Sequence, residues 1–251
     1  MKQGTKRIYL LDEIRGFCIL AMIVHHAFLD VGVVLQLQWG YDVFNALTVV
    51  QPVFWGAFIV ISGICSQLSR NSVRRGLIVF AGGMAVTLVT AVIMPTLGMA
   101  GEEIYFGILH CLGISMIVAG IFKKPIQKTN TFVGMGITAV LFFATYSVPS
   151  GKLFFVLELP RALYQTNWLA PFGFFSGTFH SADYFSLMPW MFLFLFGAFV
   201  GKFAAAGQFP KWSYRLRVKA LAFVGKNALW FYLAHQVVLY VLFFLIALLI
   251  Y

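Results

Sequence analysis

Charge is scarce in this chain, and acid scarcer still. Of 251 residues only 8 are Asp or Glu, against 18 Lys or Arg, and charged side chains make up 10% of the total. A soluble domain carries roughly a quarter charged residues, so an ordinary soluble fold is excluded; so is a disordered chain, which needs low hydrophobicity. Cys18, Cys65 and Cys111 are the three cysteines, and all fall inside apolar runs. They make no disulfide framework and match no metal-site spacing, so they read as small core hydrophobes and no metal is expected. Internal repeats and low-complexity tracts are absent, and no inverted-repeat symmetry of the transporter kind is visible. There is no solvated basic domain, so the net charge of +10 does not make a nucleic-acid binder. The first apolar run is too long for a cleavable signal peptide, contains histidines, and is followed by no small-residue cleavage site.

Apolar residues are what the chain has instead: 61% of it, with a mean hydropathy of +0.89. Runs of about 18 or more predict seven membrane spans, roughly at 15–35, 47–68, 75–95, 104–122, 131–148, 186–204 and 227–250. The stretch 219–227 adds an amphipathic turn or two before the last. The expected fold is therefore all-α: a polytopic transmembrane helix bundle, one domain over residues 1–251.

Basic residues sort by side. Lys2, Lys6, Arg7 and Arg15 precede the first span. Arg70, Arg74 and Arg75 sit in the second link and Lys123, Lys124 and Lys128 in the fourth. The sixth link holds Lys202, Lys211, Arg215, Arg217, Lys219 and Lys226. These are 16 of the 18 Lys and Arg; the alternate links hold only Lys152 and Arg161. The positive-inside rule then puts the N-terminus in the cytoplasm, and an odd span count puts the C-terminus outside. Six of the eight acids go the other way, with Asp12 and Glu13 left inside. Topology signalling explains most of this pattern. A basic mouth for a cytoplasmic anion, such as a nucleotide-bearing cofactor, is the sharper reading.

One outer link, 149–185, is long and rich in Phe, Trp, Tyr, Pro and Gly. Loops of this length are often lids or binding loops. Aromatics with scattered polar groups suit a sugar; an interfacial aromatic belt accounts for them equally well.

The stretch RIYLLDEIRGFCILAMIVHHAFLD, residues 7–30, concentrates the chemistry. Arg15 to His26 spans roughly 16 Å of helix, about half a bilayer core, so His26 belongs near the midplane if Arg15 marks one face. Ionisable groups at that depth are costly and suggest function. His26 and Asp30 are four apart and share a helix face, so a carboxylate is placed to orient an imidazole as in activating dyads. His25 points about 100° away. Arg15 admits two readings: a headgroup-snorkelling partner of Asp12, or a fork for phosphate or an amide carbonyl. Other polar spots fall at GILH (Gly107–His110), at DYFSLMPW (Asp183–Trp190) and at GKNALWFYLAHQ (Gly225–Gln236). Each is a helix–helix hydrogen bond or part of a shared polar cavity.

These blocks together resemble the heparan-α-glucosaminide N-acetyltransferase catalytic-domain family, in its short bacterial form, over nearly the whole length. RIYLLDEIRGFCILAMIVHH resembles that family's opening. YFGILHCLGIS, DYFSLMPWMFLFLFGAFVG and FVGKNALWFYLAHQ are similar to its later blocks. The opening also resembles the wider acyltransferase-3 superfamily, in which an Arg and a His on the first helix have ten residues between them; Arg15 and His26 meet that spacing and His25 does not. The resemblance implies an enzyme of the bacterial inner or plasma membrane, multi-pass. Acetyl-CoA would donate from the cytoplasm, and a hydroxyl or amine would accept from the outer side. It implies His26, tuned by Asp30, as general base or acetylated nucleophile, with Arg15 at the CoA end. Arg70, Arg74, Arg75, Lys202 and Lys226 would hold the CoA phosphates. His110, Asp183, Trp190, Asn227, His235 and Gln236 would line the acceptor or oxyanion site. Animal lysosomal members carry a different residue where His26 sits, and extra N-terminal and luminal sequence. Heparan sulfate is therefore not transferred as acceptor; a surface glycan or lipid-linked sugar is expected. Two other classes stay open: a proton-coupled transporter of a small sugar or weak acid using His26 and Asp30, and a structural membrane protein. A homodimer is compatible with all three.

Overall fold

The computed structural model describes residues 7–96 and 101–250. Lys2 and Lys6, counted above in the first basic group, lie outside the described residues. In chain order the helices are α1 (Tyr9–Val33), α2 (Gln38–Thr48), α3 (Gln51–Leu68) and α4 (Ser72–Thr96). Then come α5 (Ile108–Ile121), α6 (Lys123–Lys128), α7 (Thr131–Thr145), α8 (Leu187–Ala205), α9 (Lys219–Lys226) and α10 (Ala228–Ile250). Among the described residues six helices are long and apolar enough to cross a membrane: α1, α3, α4, α7, α8 and α10. The all-α polytopic expectation holds.

The span expected at 104–122 is the apolar helix α5, of 14 residues, or about 21 Å, shorter than the roughly 30 Å of a bilayer core. Its start is fixed by caps. His110 Nδ1 accepts from the Gly107 N–H at 3.1 Å, and Asp183 Oδ2 accepts from the Ile108 N–H at 3.1 Å. Residues 104–107, predicted as helix, lie outside it, and Phe106 O accepts from Phe185 N at 3.0 Å. The run at 47–68 is also divided: it ends the unpredicted α2, then begins α3 at Gln51. Side-chain caps start other helices, Asn71 accepting from Arg74 N at 2.9 Å and Asn130 from Phe132 N at 3.0 Å. Near its C-terminal end α4 opens into a π turn over Val89–Ile93. Pro95 follows directly, and the wider turn accommodates a residue that lacks an N–H and crowds the preceding carbonyl.

The chain divides into two compact units, one of Met1–Phe58 with Phe209–Tyr251, the other of Ile59–Gln208. In the second unit α3 and α8 touch backbone to backbone. A methyl on Gly63 would land on the Phe194 carbonyl oxygen, and one on Gly197 on that of Val60. The Gly197/Gly201 pair therefore serves close packing, as small residues do in membrane helices. The link 149–185 is folded. A two-stranded hairpin, β1 (Lys152–Leu153) with β2 (Leu157–Glu158), opens it. Asn167 Oδ1 accepts from Ser176 N at 3.0 Å, and the Tyr184 hydroxyl donates to Ala170 O at 2.6 Å. Burial pushes that hydroxyl's pKa above its ordinary value.

In the first unit the closest approach is between α1 and α9. A methyl on Gly16 would coincide with the Leu221 carbonyl, and one on Gly225 with the Asp12 carbonyl. Glu13, buried, secures the same crossing: its Oε1 accepts from Arg217 N at 2.6 Å and Val218 N at 3.0 Å, the chain entering α9. The first turn of α9 has no capping side chain of its own, so a carboxylate from α1 supplies the acceptor and also suits the positive helix end. Ile19, Val224 and Ala228 form a buried cluster beneath, flanked by Met22, Phe231 and Tyr232. Gly225→Ala should cost about 2 kcal/mol or more through overpacking, seen as a lower unfolding midpoint in detergent. Gly136→Ala, inside α7 where an added methyl meets nothing within 4 Å, should hold or raise the midpoint, since Ala is the better helix former.

Candidate active site

The five histidines separate by which ring nitrogen carries the proton. A carbonyl can only accept, so an imidazole nitrogen bonded to one must be the N–H. His26 Nδ1 lies 2.9 Å from the Met22 carbonyl, and His235 Nδ1 lies 2.5 Å from that of Tyr232. Both are therefore Nδ1–H when neutral, and both leave Nε2 as the basic nitrogen. Their rings meet edge to face, centroids 5.1 Å apart. Among the described residues His235 Nε2 is buried without a hydrogen-bond partner, an uncommon state for a buried polar atom.

His25 has the opposite tautomer. The hydroxyl of Thr48 donates to Phe44 O at 2.9 Å, so it accepts from His25 Nε2–H at 3.1 Å. Nδ1 in turn takes the Gln51 amide proton at 3.3 Å, and the ring packs on Phe44 with centroids 4.2 Å apart. Both nitrogens are satisfied, and the side chain ties α1 to α2 and α3. His110 repeats the arrangement: Nδ1 accepts from Gly107 N, and Nε2 faces the Thr87 hydroxyl at 3.3 Å, which itself donates to Ile104 O. Both nitrogens of each of these two rings are engaged. His180 is a loop residue, with Nε2 3.2 Å from Gly101 O.

Asp30 is buried and accepts from the Gln236 amide, Nε2 to Oδ1 at 3.2 Å and to Oδ2 at 3.4 Å. The tautomer of His26 is thus set by the carbonyl one turn below it on α1. Gln236 Oε1 is a second buried acceptor without a partner. Together α1 and α10 bring four of the expected residues into one place: His26, Asp30, His235 and Gln236. The adjacency of α9 and α10 in sequence, with α9 clamped to α1, is what aligns them.

Other expected residues have other occupations. Asn227 donates its amide to Phe223 O at 2.9 Å, closing α9 before α10; that donor and the His235 Nδ1–H are both already engaged. Asp183 and His110 cap α5 in the second unit. Trp190 packs on Phe185, centroids 5.4 Å apart. Lys202 Nζ donates to the carbonyls of Ile126 at 3.2 Å, Gln127 at 3.2 Å and Thr129 at 2.6 Å, ending α6. Arg70, Arg74, Arg75 and Lys226 are exposed. On α1 itself, Arg15 donates Nη1 to Gly225 O at 3.3 Å and lies 3.6 Å from Asp12 Oδ1. Arg7 holds the other oxygen of Asp12, Nη2 to Oδ2 at 2.7 Å. Sequence reasoning missed Glu13, Thr48 and Gln51, whose roles are long-range contacts with no local signature.

A model of the family described as heparan-alpha-glucosaminide N-acetyltransferase, catalytic, matches residues 7–237. The chain belongs to that family. The match runs from Arg7 through Val237 and so takes in every residue of the α1–α10 cluster. Membership makes the chain a membrane acetyltransferase in general kind, as the earlier resemblance implied. No curated protein and no solved structure matches it.

The two neighbouring histidines separate experimentally. Thr48→Val leaves the His25 Nε2–H without its acceptor and should cost about 1–3 kcal/mol of stability. Denaturation in detergent should show that loss, while acetyl transfer per folded molecule stays within about twofold of the parent.

Proposed function

We propose that this family member moves an acetyl group from cytoplasmic acetyl-CoA to an extracytoplasmic acceptor, a glycan or lipid-linked sugar, with His26 Nε2 as general base. The observation that carries this reading is the tautomer. The Met22 carbonyl holds the ring proton on Nδ1 and leaves Nε2 as a lone pair within an apolar helix bundle. His25, one residue away, is fully consumed by structure.

The steps balance without further reagents. The acceptor O–H or N–H bonds to His26 Nε2 and attacks the thioester carbonyl. As the new C–O or C–N bond forms, the proton passes to Nε2, and the imidazolium remains anchored through Nδ1–H. The C–S bond breaks, and the departing CoA thiolate takes the proton back, restoring the neutral ring. Positioned proton transfer of this kind contributes about 10²–10⁴-fold. Asp30, held by Gln236, lies one turn beyond His26 and favours the transient imidazolium electrostatically.

Arg15 belongs to the donor side. It lies roughly 16 Å from His26 along α1, a separation comparable with an extended pantetheine arm. It is held at the α1–α9 crossing, and a guanidinium there offers a fork to phosphate or amide oxygen. Exposed Lys226, in the same unit as Arg15, adds positive charge for the CoA phosphates. Lys202 spends its donors on α6. The distribution of basic residues supports a cytoplasmic N-terminus in a multi-pass cell-membrane protein.

Acetyl-CoA should bind the detergent-purified protein saturably, measured by calorimetry. Arg15→Ala should weaken binding about tenfold, as expected for a lost charged contact. His26→Ala should keep the parental affinity but lose about 10²-fold or more in transfer. Parental transfer by His26→Ala removes the base assignment. Absence of binding by the folded parent removes acetyl-CoA as donor.

A further inference from the structure

The first part of the long loop presents an apolar tip. β1 and β2 pair Lys152 with Glu158 and Leu153 with Leu157. Between them the chain turns through Phe154 and Phe155 at φ of +49° and +64°. Left-handed backbone is unfavourable for bulky residues and persists only where the surroundings impose it. Here Phe154 N donates to Ala144 O at 2.8 Å, and Phe155 N to the Ser147 hydroxyl at 3.0 Å. The last turn of α7 thus holds the tip in place. The result is outward display: Phe154 is 48% exposed, Phe155 51%, Val156 74% and Leu157 58%. Four consecutive exposed apolar side chains in a hydrogen-bonded hairpin need an apolar partner.

What covers them is indicated by what they adjoin. Along α7 a stripe of Val133, Ile137, Val140 and Phe143 is exposed, at the three- and four-residue spacing of one helix face. On a membrane-spanning helix that face meets lipid. Tyr146, half-exposed just after α7, carries the stripe to the tip, its ring 5.9 Å from that of Phe155. Lys152 and Arg161 flank the hairpin and are both exposed. They are also the two cations outside the four basic clusters. Cations beside aromatics at the end of a span are the composition of a membrane–water interface. We infer that the Lys152–Glu158 hairpin is an interfacial anchor. Its tip sits at the headgroup–acyl boundary of the leaflet that the C-terminal end of α7 reaches, as a continuation of the lipid-facing side of α7. This part of the loop is then a fixed contact with lipid, not a lid over substrate.

The test places a thiol-reactive fluorophore at Val156→Cys in the full chain, in nanodiscs holding one copy each. The discs are phosphatidylcholine with phosphatidylglycerol, and the quencher is a lipid bearing a doxyl group high on its acyl chain. Cys18 and Cys111 are buried, and the unlabelled parent sets the background. Gln165→Cys, exposed on the same loop, is the reference. Quenching at Val156 should exceed the reference by about threefold, the expectation for a side chain at the headgroup boundary. Adding Phe155→Asp should bring it down to the reference. Leu157→Cys provides a second labelled position should Val156→Cys fold poorly. Quenching equal to the reference at both positions overturns the inference. So does burial of the label that appears only with two copies per disc, or only on adding a soluble oligosaccharide, since the occupant would then be another chain or the acceptor.

Discussion

The first unit hangs on one close approach, the crossing of α1 and α9 at two glycines. Gly16 rests on the Leu221 carbonyl and Gly225 on the Asp12 carbonyl, and neither position has room for a methyl. Three consequences follow from bringing the backbones so near. Arg15 reaches the Gly225 carbonyl. Glu13 reaches the free N–H groups before α9, which in an apolar setting would otherwise be costly. Most important, α9 leads within one residue into α10, so fixing α9 on α1 delivers His235 and Gln236 to the level of His26 and Asp30. A contact at one end of α1 thereby assembles a polar cluster three turns away.

In an apolar setting, in either unit, every polar group must find a partner or stand out. The histidines show how the distinction is made. His25 and His110 each hand an Nε2 proton to a threonine whose own proton goes to a carbonyl. That relay satisfies ring and hydroxyl together and leaves nothing to react. His26 and His235 instead fold Nδ1–H back on their own helix backbone, which takes care of the donor and reserves Nε2. An imidazole so held is both immobile and basic at one known atom, the combination general-base catalysis needs. Family membership makes the chain an acetyltransferase in general kind, and the base proposed for it is one of the two histidines held in this way.

Much of this was legible in the sequence, for reasons that differ by feature. Long apolar runs announce spans because lipid demands that backbone groups be satisfied within the helix. Hence α1, α3, α4, α7, α8 and α10 are found close to their expected positions. The start of α5 was placed too early, since hydropathy does not register a cap supplied by Asp183 from far along the chain. The amphipathic α2 was hidden inside and before an apolar run for a similar reason. At the site, four-residue spacing pairs His26 with Asp30, but it does not reach His235 and Gln236, polar spots of the last span that the structure brings beside them. It assigned the orienting of His26 to Asp30, where the structure gives that task to the Met22 carbonyl; a backbone acceptor leaves no trace in residue identity. The family resemblance groups Lys202 with the phosphate-binding cations, yet three carbonyls at the end of α6 hold it. Charge in a sequence does not reveal whether a neighbour has already claimed it.

The central claim is that two adjacent histidines on one helix hold opposite tautomers, and that only His26 keeps Nε2 free as a base. Nitrogen-15 NMR of histidine-labelled protein in lipid reads this directly, with His25→Phe and His26→Phe samples to assign the signals. The account predicts a protonated Nδ1 with an unprotonated Nε2 for His26, and the reverse for His25. Finding His26 protonated at Nε2 in the neutral ring would contradict it, because no lone pair would then face the reacting group.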